Sequence, residues 1–425
     1  MAIDSYIPEH GDDGFHVQHY ELELDYRVGP NLLSANARLS AIAARPLSRF
    51  ALDLAGLRAR RVRVNGRAVK FGHSGTKLRI TLPAPIAADT PFTVEVRYSG
   101  NPRPLGGTWG DIGWDELTDG ALVASQPIGA PTWFPCNDHP SDKASYRIGI
   151  TTDSPYTVAA TGNLVSKRRS ASKTSWVFDR PEPTASYLVG VHIGQYSELL
   201  LAEKPVQRAV FPERLRAPLR QDLGRHAEIM STLQKFLGPY PFDEYVVVVT
   251  EDELDDPIEA QGLSVFGANH IDGSGAQERL IAHELAHQWF GNSLTVADWR
   301  HIWLNEGFAT YAEWLWSQAC GGPSTEELAR QWHSHLDAGD QDLILADPGV
   351  ERMFDERVYK RGALTLHALR AELGEDSFFG LLREWCARYR HATVTTEQFR
   401  SLAAQFTSRP LDGLFDRWLY RAPLP

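Results

Sequence analysis

The chain has 425 residues, of which 43% are hydrophobic and 23% are charged, and its formal net charge is −11. This length allows two or three domains, and the composition is typical of a globular protein. The acidic balance argues against nucleic acid and against anionic membrane surfaces as partners, because both repel a negatively charged protein.

Cysteine usage and the N-terminus indicate the compartment. Cys136, Cys320 and Cys386 are widely spaced and form no CxxC pair, so we expect neither a disulfide framework nor a cysteine zinc site. The N-terminal residues carry no basic and apolar leader, and no run of about 18 apolar residues occurs in the chain. The sequence therefore predicts a cytoplasmic protein without a membrane-spanning segment.

The first half of the chain alternates apolar and polar residues, which is the period of half-buried antiparallel strands. Turn residues separate these segments at short intervals, as in a sandwich or a saddle of sheets. The predicted strands lie at 19–28, 60–66, 77–82, 92–100, 145–152, 157–164 and 175–179. We therefore expect an N-terminal β domain over residues 1–198.

The second half changes to helical periodicity. Residues 217–237 place their apolar side chains near one face of a helix, and residues 245–250 form an apolar run that predicts a buried strand. Further helices are predicted at 279–290, 305–318, 324–337, 358–373, 376–389, 396–407 and 411–420. The sequence therefore predicts an α+β multidomain fold, with a mixed, mainly α domain over residues 199–425.

The segment LIAHELAHQWFGN (280–292) carries the spacing of a zinc site. His283 and His287 are four residues apart, so a helix places both imidazoles on one face where they can reach one ion. Glu284 points beside such an ion, where a general base can take a proton from its water. Glu306, on a second predicted helix, is the expected third ligand, which leaves a fourth position open for catalysis.

Two alternatives remain open for these residues. An HExxH pattern fixes only three residues, and the histidines and acids could belong to a core and a surface without any metal. Glu313, two helical turns after Glu306, either accepts a hydrogen bond from a ligand histidine or is a solvated helix residue. Ligand chemistry favours one Zn²⁺ per chain, although cobalt or manganese can occupy sites of this kind.

Several motifs together resemble the aminopeptidase N and leukotriene hydrolase family of zinc peptidases. HELAHQWFGN and WLNEGFA carry the zinc residues, VYKRGA (358–363) contains Tyr359, and QPIGAPTWFPCNDHPSDKASY spans 126–146. The resemblance extends over nearly the whole chain and implies a thermolysin-like catalytic domain after the β domain. It implies that His283, His287 and Glu306 bind zinc, that Glu284 is the general base and that Tyr359 stabilises the oxyanion.

The resemblance also implies how the substrate amine is recognised. The segment DPIEA (256–260) stands where the family has GAMEN, so Glu259 keeps the place of the glutamate that binds the free amino group. Gln126 matches a family glutamine that lines the same subsite. The family usually carries a C-terminal helical domain, and residues 411–425 resemble the end of the catalytic domain, so we expect a short form.

These observations predict a zinc-dependent aminopeptidase that hydrolyses the N-terminal residue of peptides. Two alternatives remain: a zinc endopeptidase with an open site, and a non-catalytic zinc-binding module of the same fold. The expected partner is a peptide with a free N-terminus, and neither nucleic acid nor membrane is expected. The sequence leaves the oligomeric state and the preferred N-terminal residue open.

Overall fold

The computed structural model describes residues 3–425, and their strands and helices follow the two halves that the sequence predicts. In chain order the strands are β1 (Phe15–Arg27), β2 (Leu32–Ala43), β3 (Leu47–Asp53), β4 (Arg58–Val64), β5 (Arg67–Ala68), β6 (Lys70–Ser74), β7 (Lys77–Ile86), β8 (Pro91–Gly100), β9 (Leu105–Gly107), β10 (Gly110–Leu117), β11 (Gly120–Ala124), β12 (Ala144–Asp153), β13 (Thr157–Ala160), β14 (Asn163–Ser170), β15 (Lys173–Thr184), β16 (Val191–Gly194), β17 (Tyr196–Glu203), β18 (Val206–Pro212), β19 (Glu244–Val249), β20 (Ile258–Ala260), β21 (Leu263–Phe266), β22 (Thr295–Val296) and β23 (Thr393–Val394).

The α-helices concentrate in the second half. They are α1 (Arg216–Asp222), α2 (His226–Leu237), α3 (Glu278–Ala286), α4 (Trp303–Ala319), α5 (Thr325–Asp337), α6 (Glu356–Leu373), α7 (Glu375–Arg388), α8 (Thr396–Ala403) and α9 (Asp412–Phe415), which continues into a π-helical turn at Asp416–Tyr420. The predicted class, a β-rich N-terminal domain followed by a mainly α catalytic domain, is confirmed. Within residues 3–425, no helix combines the length and the apolar character that a bilayer crossing requires.

Internal contacts divide the chain into two compact units. The first contains the residues up to 200 together with 206–216 and 243–270, and the second contains 201–205, 217–242 and 271–425. This division groups residues by contact alone. The domain boundary between residues 198 and 199 stays a prediction.

Sheets build the first unit. Its largest sheet has eight strands in the order β14-β15-β12-β1-β2-β8-β4-β5, and β1 pairs with β12 in parallel but with β2 antiparallel. The apolar side chains of alternate positions pack into one core, because successive side chains of a strand point to opposite faces. Phe15, Phe50 and Phe92 meet edge to face in this core, with ring centroids 5.3–6.0 Å apart.

A second, five-stranded sheet of the first unit has the order β17-β18-β19-β21-β20. Strands β18, β19 and β21 run parallel, and β20 pairs antiparallel with β21. The apolar run predicted at 245–250 is β19, whose residues after Glu244 are all buried. A continuous apolar run is what a strand covered on both faces requires.

Helices build most of the second unit. The first fourteen residues of α4, Trp303–Trp316, are all buried, because α3 and α6 pack against this helix. Trp303, Trp314 and Trp385 are among the largest fully buried side chains of the chain. A helix that is buried around its whole circumference provides a rigid support for any side chain that it carries.

Four predicted helices differ from the structure: α3 and α8 end earlier than predicted, at Ala286 and Ala403, and the other two are interrupted. Residues 217–237 form two helices rather than one, because the chain turns at Gly224, whose N–H donates to the Gln221 carbonyl at 3.2 Å. Residues 411–420 form only four residues of α-helix before the π-helical turn begins. In both segments the apolar spacing continues through the irregularity, so periodicity alone does not reveal it.

Candidate active site

Helix α3 carries the first two residues of the site. His283 and Glu284 lie in its last turns, and His287 follows at its end with φ −56° and ψ −23°, which is still a helical conformation. The N–H of His287 donates to the His283 carbonyl at 3.1 Å. The helical turn therefore continues through His287, and the two imidazoles lie one turn apart on the same face.

Helix α4 brings a carboxylate to these imidazoles. The Nε2 atoms of His283 and His287 lie 3.0 Å apart, and Glu306 Oε2 lies 3.6 Å and 3.4 Å from them, respectively. Four ligands at about 2.0–2.1 Å from a tetrahedral zinc ion stand about 3.4 Å from one another. The three side chains therefore already have the spacing of three corners of a zinc site.

The outer nitrogen of each imidazole has its own partner. His283 Nδ1 lies 2.6 Å from Glu313 Oε1, and His287 Nδ1 lies 3.0 Å from the Phe290 carbonyl. A proton on Nδ1 satisfies both acceptors and leaves the lone pair of Nε2 for a metal. Glu313 thus contacts a histidine of the pair, which was one of the two alternatives that its sequence position left open.

The charges of the site follow from burial and from these contacts. Burial lowers the pKa of His283, but its hydrogen bonds to Glu306 and Glu313 outweigh that effect and raise the pKa to about 9. Burial raises the pKa of Glu313, but the hydrogen bond with His283 outweighs this and holds the pKa at about 2. The pKa of Glu306 is likewise lowered, against the effect of burial, by His287 and His283. Both carboxylates are therefore anionic at neutral pH.

These residues fit a zinc ion. His283, His287 and Glu306 form the group of three possible metal ligands found within residues 3–425, with ligand atoms within 4.8 Å of one another. Two imidazole nitrogens and one carboxylate oxygen are a donor set that zinc takes in catalytic sites. All three side chains are buried, so a bound ion would sit in a partly dehydrated site where its charge acts strongly.

Two further side chains accompany this cluster in the second unit. Glu284 is 4% exposed and follows His283 on α3. Tyr359 lies in the first turn of α6, and its ring stacks on that of His283 with centroids 6.0 Å apart and an interplanar angle of 18°. The structure therefore brings six of the eight predicted site residues into this second unit: His283, Glu284, His287, Glu306, Glu313 and Tyr359.

The remaining two predicted residues belong to the first unit. Glu259 lies on β20, is 8% exposed, and pairs with Ser264 of β21. Gln126 follows the end of β11 and is half-buried. Their proposed role in amine recognition stays a prediction.

Two groups near the cluster were not predicted. Arg279 donates to Glu313 Oε2 at 3.0 Å, and it precedes His283 by four residues, so it lies on the same face of α3. This spacing could have predicted that Arg279 contacts Glu313, but only once Glu313 was known to lie beside His283. The Phe290 carbonyl gives no signal in the sequence, because any residue offers a backbone acceptor.

Comparison with known proteins identifies this arrangement. The fold and the buried His–His–Glu cluster define a zinc metallopeptidase. Residues 223–418 match the peptidase family M1 domain, and residues 16–188 match the peptidase M1 N-terminal domain. A mutant M1 zinc metallopeptidase from Deinococcus radiodurans, solved with a Tyr-Ser-Ala substrate, is 30% identical to this chain, with a TM-score of 0.90. The match covers 99% of this chain and 98% of the D. radiodurans chain. The chain therefore belongs to peptidase family M1.

More distant relatives agree with this assignment. Leucine aminopeptidase 2 of Coccidioides immitis is 25% identical over 97% of this chain and 71% of its own length. Aminopeptidase M1-A of rice (Oryza sativa) is 25% identical over 73% of this chain and 38% of its own length. Yeast LTA4 hydrolase shares the fold, with a TM-score of 0.83 at 19% identity. The predicted family, the hydrolase class and the zinc cofactor are confirmed.

Proposed function

We propose that this chain is a zinc-dependent aminopeptidase in which His283, His287 and Glu306 hold the metal and Glu284 is the general base. The observation that carries the proposal is the triangle of the three ligand atoms, with sides of 3.0, 3.4 and 3.6 Å. The proposed substrates are peptides, because the relatives are named aminopeptidases and the D. radiodurans structure holds a Tyr-Ser-Ala substrate. When bound, zinc supplies a Lewis acid that lowers the pKa of water and polarises the scissile carbonyl.

Glu284 moves the proton of the reaction. Its carboxylate takes a proton from the attacking water, whose oxygen forms the new bond to the carbonyl carbon of the substrate. The same carboxyl group then passes this proton to the nitrogen of the leaving amine as the C–N bond breaks. Its place beside His283 at the end of a buried helix supports this role, since a general base needs a fixed position.

Tyr359 supplies a hydrogen bond to the developing negative charge. Its hydroxyl donates to the carbonyl oxygen as that oxygen becomes an oxyanion, and donors aimed at such a charge are worth roughly 10²–10³ in rate. The stacking of its ring on His283 supports the assignment, because it places the tyrosine beside a metal ligand. Glu313 orients His283 through the contact with Nδ1.

We further propose that Glu259 binds the free amino group of the substrate and that Gln126 lines the same subsite. The burial of Glu259 supports this, because a buried carboxylate attracts an ammonium group strongly. The division into a β domain at 1–198 and a catalytic domain at 199–425, the cytoplasmic location and the absence of nucleic-acid or membrane partners are proposals that rest on the sequence.

A panel of fluorogenic aminoacyl amides tests the proposed activity. Each amide is paired with its N-acetylated counterpart, and a chelator control is run for both. We expect the free-amine forms to be cleaved, the acetylated forms to resist, and chelation to abolish cleavage. Equal cleavage of both forms would indicate an endopeptidase, and zinc binding without any hydrolysis would indicate a non-catalytic module.

A substitution at Glu259 tests the amine-binding role separately. Glu259→Gln keeps the size of the side chain but removes its charge, so the free-amine substrates should lose a charge-assisted hydrogen bond worth roughly 1.5–3 kcal/mol. We expect the KM for these substrates to rise at least about tenfold. An unchanged KM, at unchanged zinc content, would assign amine recognition to another residue.

A further inference from the structure

The backbones of helices α4 and α6 are in close contact at a point where each helix carries a glycine. A Cβ atom added at Gly362 would lie 2.6 Å from the Cα of Gly307, and one added at Gly307 would lie 2.7 Å from the Cα of Gly362. Both neighbours are backbone atoms, so no side-chain rotation can relieve the overlap. The two helices can keep this separation only with glycine at both positions.

Both glycines are unfavourable for their own helices. A glycine inside a helix costs roughly 0.5–1 kcal/mol relative to alanine, because it loses more conformational freedom on folding. Gly307 and Gly362 are both buried within long helices. The close approach of the two backbones gives the structural reason for keeping glycine at both positions.

Each glycine lies within three residues of a residue of the proposed mechanism. Glu306 directly precedes Gly307 on α4. Tyr359 precedes Gly362 by three residues on α6, so both lie on the same face of that helix. The separation of the helices at the glycines therefore sets how far the tyrosine stands from the ligand cluster.

A second set of contacts holds α6 beside this point. The Arg361 guanidinium is 3% exposed and donates to the backbone carbonyls of Trp418 at 2.9 Å and of Leu343 and Arg417 at 3.1 Å. The first fourteen residues of α4 are buried on all sides, so a methyl group at Gly362 is accommodated by a shift or tilt of α6, which strains these bonds. Such a movement displaces Tyr359.

We infer that the Gly307–Gly362 contact is a positioning device, which sets the distance between the Tyr359 hydroxyl and the metal ligands of α3 and α4. The inference rests on the role proposed for Tyr359. A displacement of about 1 Å in a catalytic group can reduce the rate by roughly a hundredfold. The contact should therefore affect kcat rather than zinc binding or KM.

A double-mutant cycle on the full-length, zinc-loaded protein tests this inference. We expect Gly362→Ala to lower kcat at least about tenfold, with the zinc content kept and KM changed less than about twofold. In the Tyr359→Phe background the same substitution should change kcat less than about twofold, because the displaced hydroxyl is already absent. Gly380→Ala is the matched control: Gly380 lies within α7, and an added Cβ would meet only the Phe406 side chain, at 3.2 Å.

The outcomes separate this inference from the role of the tyrosine. Equal losses of kcat in both backgrounds, or an unchanged kcat with only a lower Tm, would contradict the inference. If Tyr359→Phe alone keeps full kcat, the tyrosine has no catalytic role. A crystal structure of Gly362→Ala then tests separately whether the glycine contact sets the position of Tyr359. That structure should show the ring centroids of His283 and Tyr359 farther apart than 6.0 Å. If neither Gly362→Ala nor Gly307→Ala folds, the contact serves stability and the inference is wrong.

Discussion

At the scale of single residues, Glu313 is the contact partner of His283, one of the proposed zinc ligands. Its carboxylate is 3% exposed and lies 2.6 Å from His283 Nδ1, and Arg279 donates to its second oxygen. A buried anion at this place holds the proton on Nδ1 and increases the basicity of Nε2. If His283 binds zinc as proposed, the affinity of the site for zinc depends on a residue that does not touch the metal.

Replacing Glu313 by glutamine should weaken zinc binding about 10–100-fold, since partners of ligand histidines contribute that much to metal affinity. The amide can still accept the hydrogen bond but carries no charge. Competition with a chelator of known affinity measures the change in Kd. Glu351→Gln, at an exposed position, removes the same charge from the surface and should leave the Kd unchanged. An equal Kd for the Glu313 variant and the wild type would exclude this role.

Sequence spacing predicts only part of this site. The four-residue interval between His283 and His287 requires only a helix, so the pattern alone predicts their common face. The contact of Glu313 with His283 depends on how α3 and α4 pack against each other. Its spacing from Glu306 along α4 fits a solvated glutamate equally well. The Gly307–Gly362 contact depends in the same way on two segments that are distant in the sequence.

At the scale of elements, the large sheet of the first unit carries charges of alternating sign across six strands. The strand register places each of these residues opposite a residue of the other sign. In strand order the row is Asp179 on β15, Arg147 on β12, Glu21 on β1, Arg38 on β2, Glu95 on β8 and Arg63 on β4. Opposite charges at directly paired positions stabilise a sheet by roughly 0.2–1 kcal/mol per pair.

Reversing the central charge of this row should destabilise the sheet. Arg38→Glu replaces two attractive pairs, with Glu21 and Glu95, by two repulsive pairs, so we expect a loss of about 1–2 kcal/mol in the free energy of unfolding. Arg38→Gln should lose about half as much. Denaturant unfolding in low salt and in about 1 M salt measures both, and salt should shrink the difference. A loss that does not depend on salt would argue for a packing effect instead.

Long, alternating strands are predictable and short buried strands are not. The segment 92–100 alternates along its whole length and forms β8 at Pro91–Gly100. Strand β11 (Gly120–Ala124) and strand β16 (Val191–Gly194) are short and buried almost throughout. Such runs show no period, so no pattern in the sequence distinguishes them from other buried segments.

At the scale of the whole molecule, buried histidines link stability to pH. Burial lowers the pKa of His192 to about 3 and that of His226 to about 4. An unfolded histidine has a pKa near 6.5. Between these values the unfolded chain binds more protons than the folded one, so stability is fully present above about pH 6.5 and falls as the pH is lowered.

His192→Leu should remove its share of this pH dependence. Neither ring nitrogen has a hydrogen-bonding partner among residues 3–425, so leucine loses no bond. Between pH 7.5 and 5.5 the wild type should lose about 1.4 kcal/mol more stability than the variant, because the unfolded histidine takes up a proton. Unfolding at both pH values measures the difference. The control is His335→Leu, at an exposed position, which should lose as much stability between the two pH values as the wild type. If His192→Leu also loses as much stability as the wild type, the expectation is wrong.

The most direct test of the whole account is the rate of Glu284→Gln at a zinc content equal to that of the wild type. The amide keeps the size of the side chain but cannot take a proton from water. Loss of a general base commonly lowers the rate by roughly 10²–10⁴. We predict at least about a hundredfold lower kcat on a free-amine substrate, with zinc still bound to His283, His287 and Glu306. A variant that binds zinc and keeps full activity would contradict the proposed mechanism.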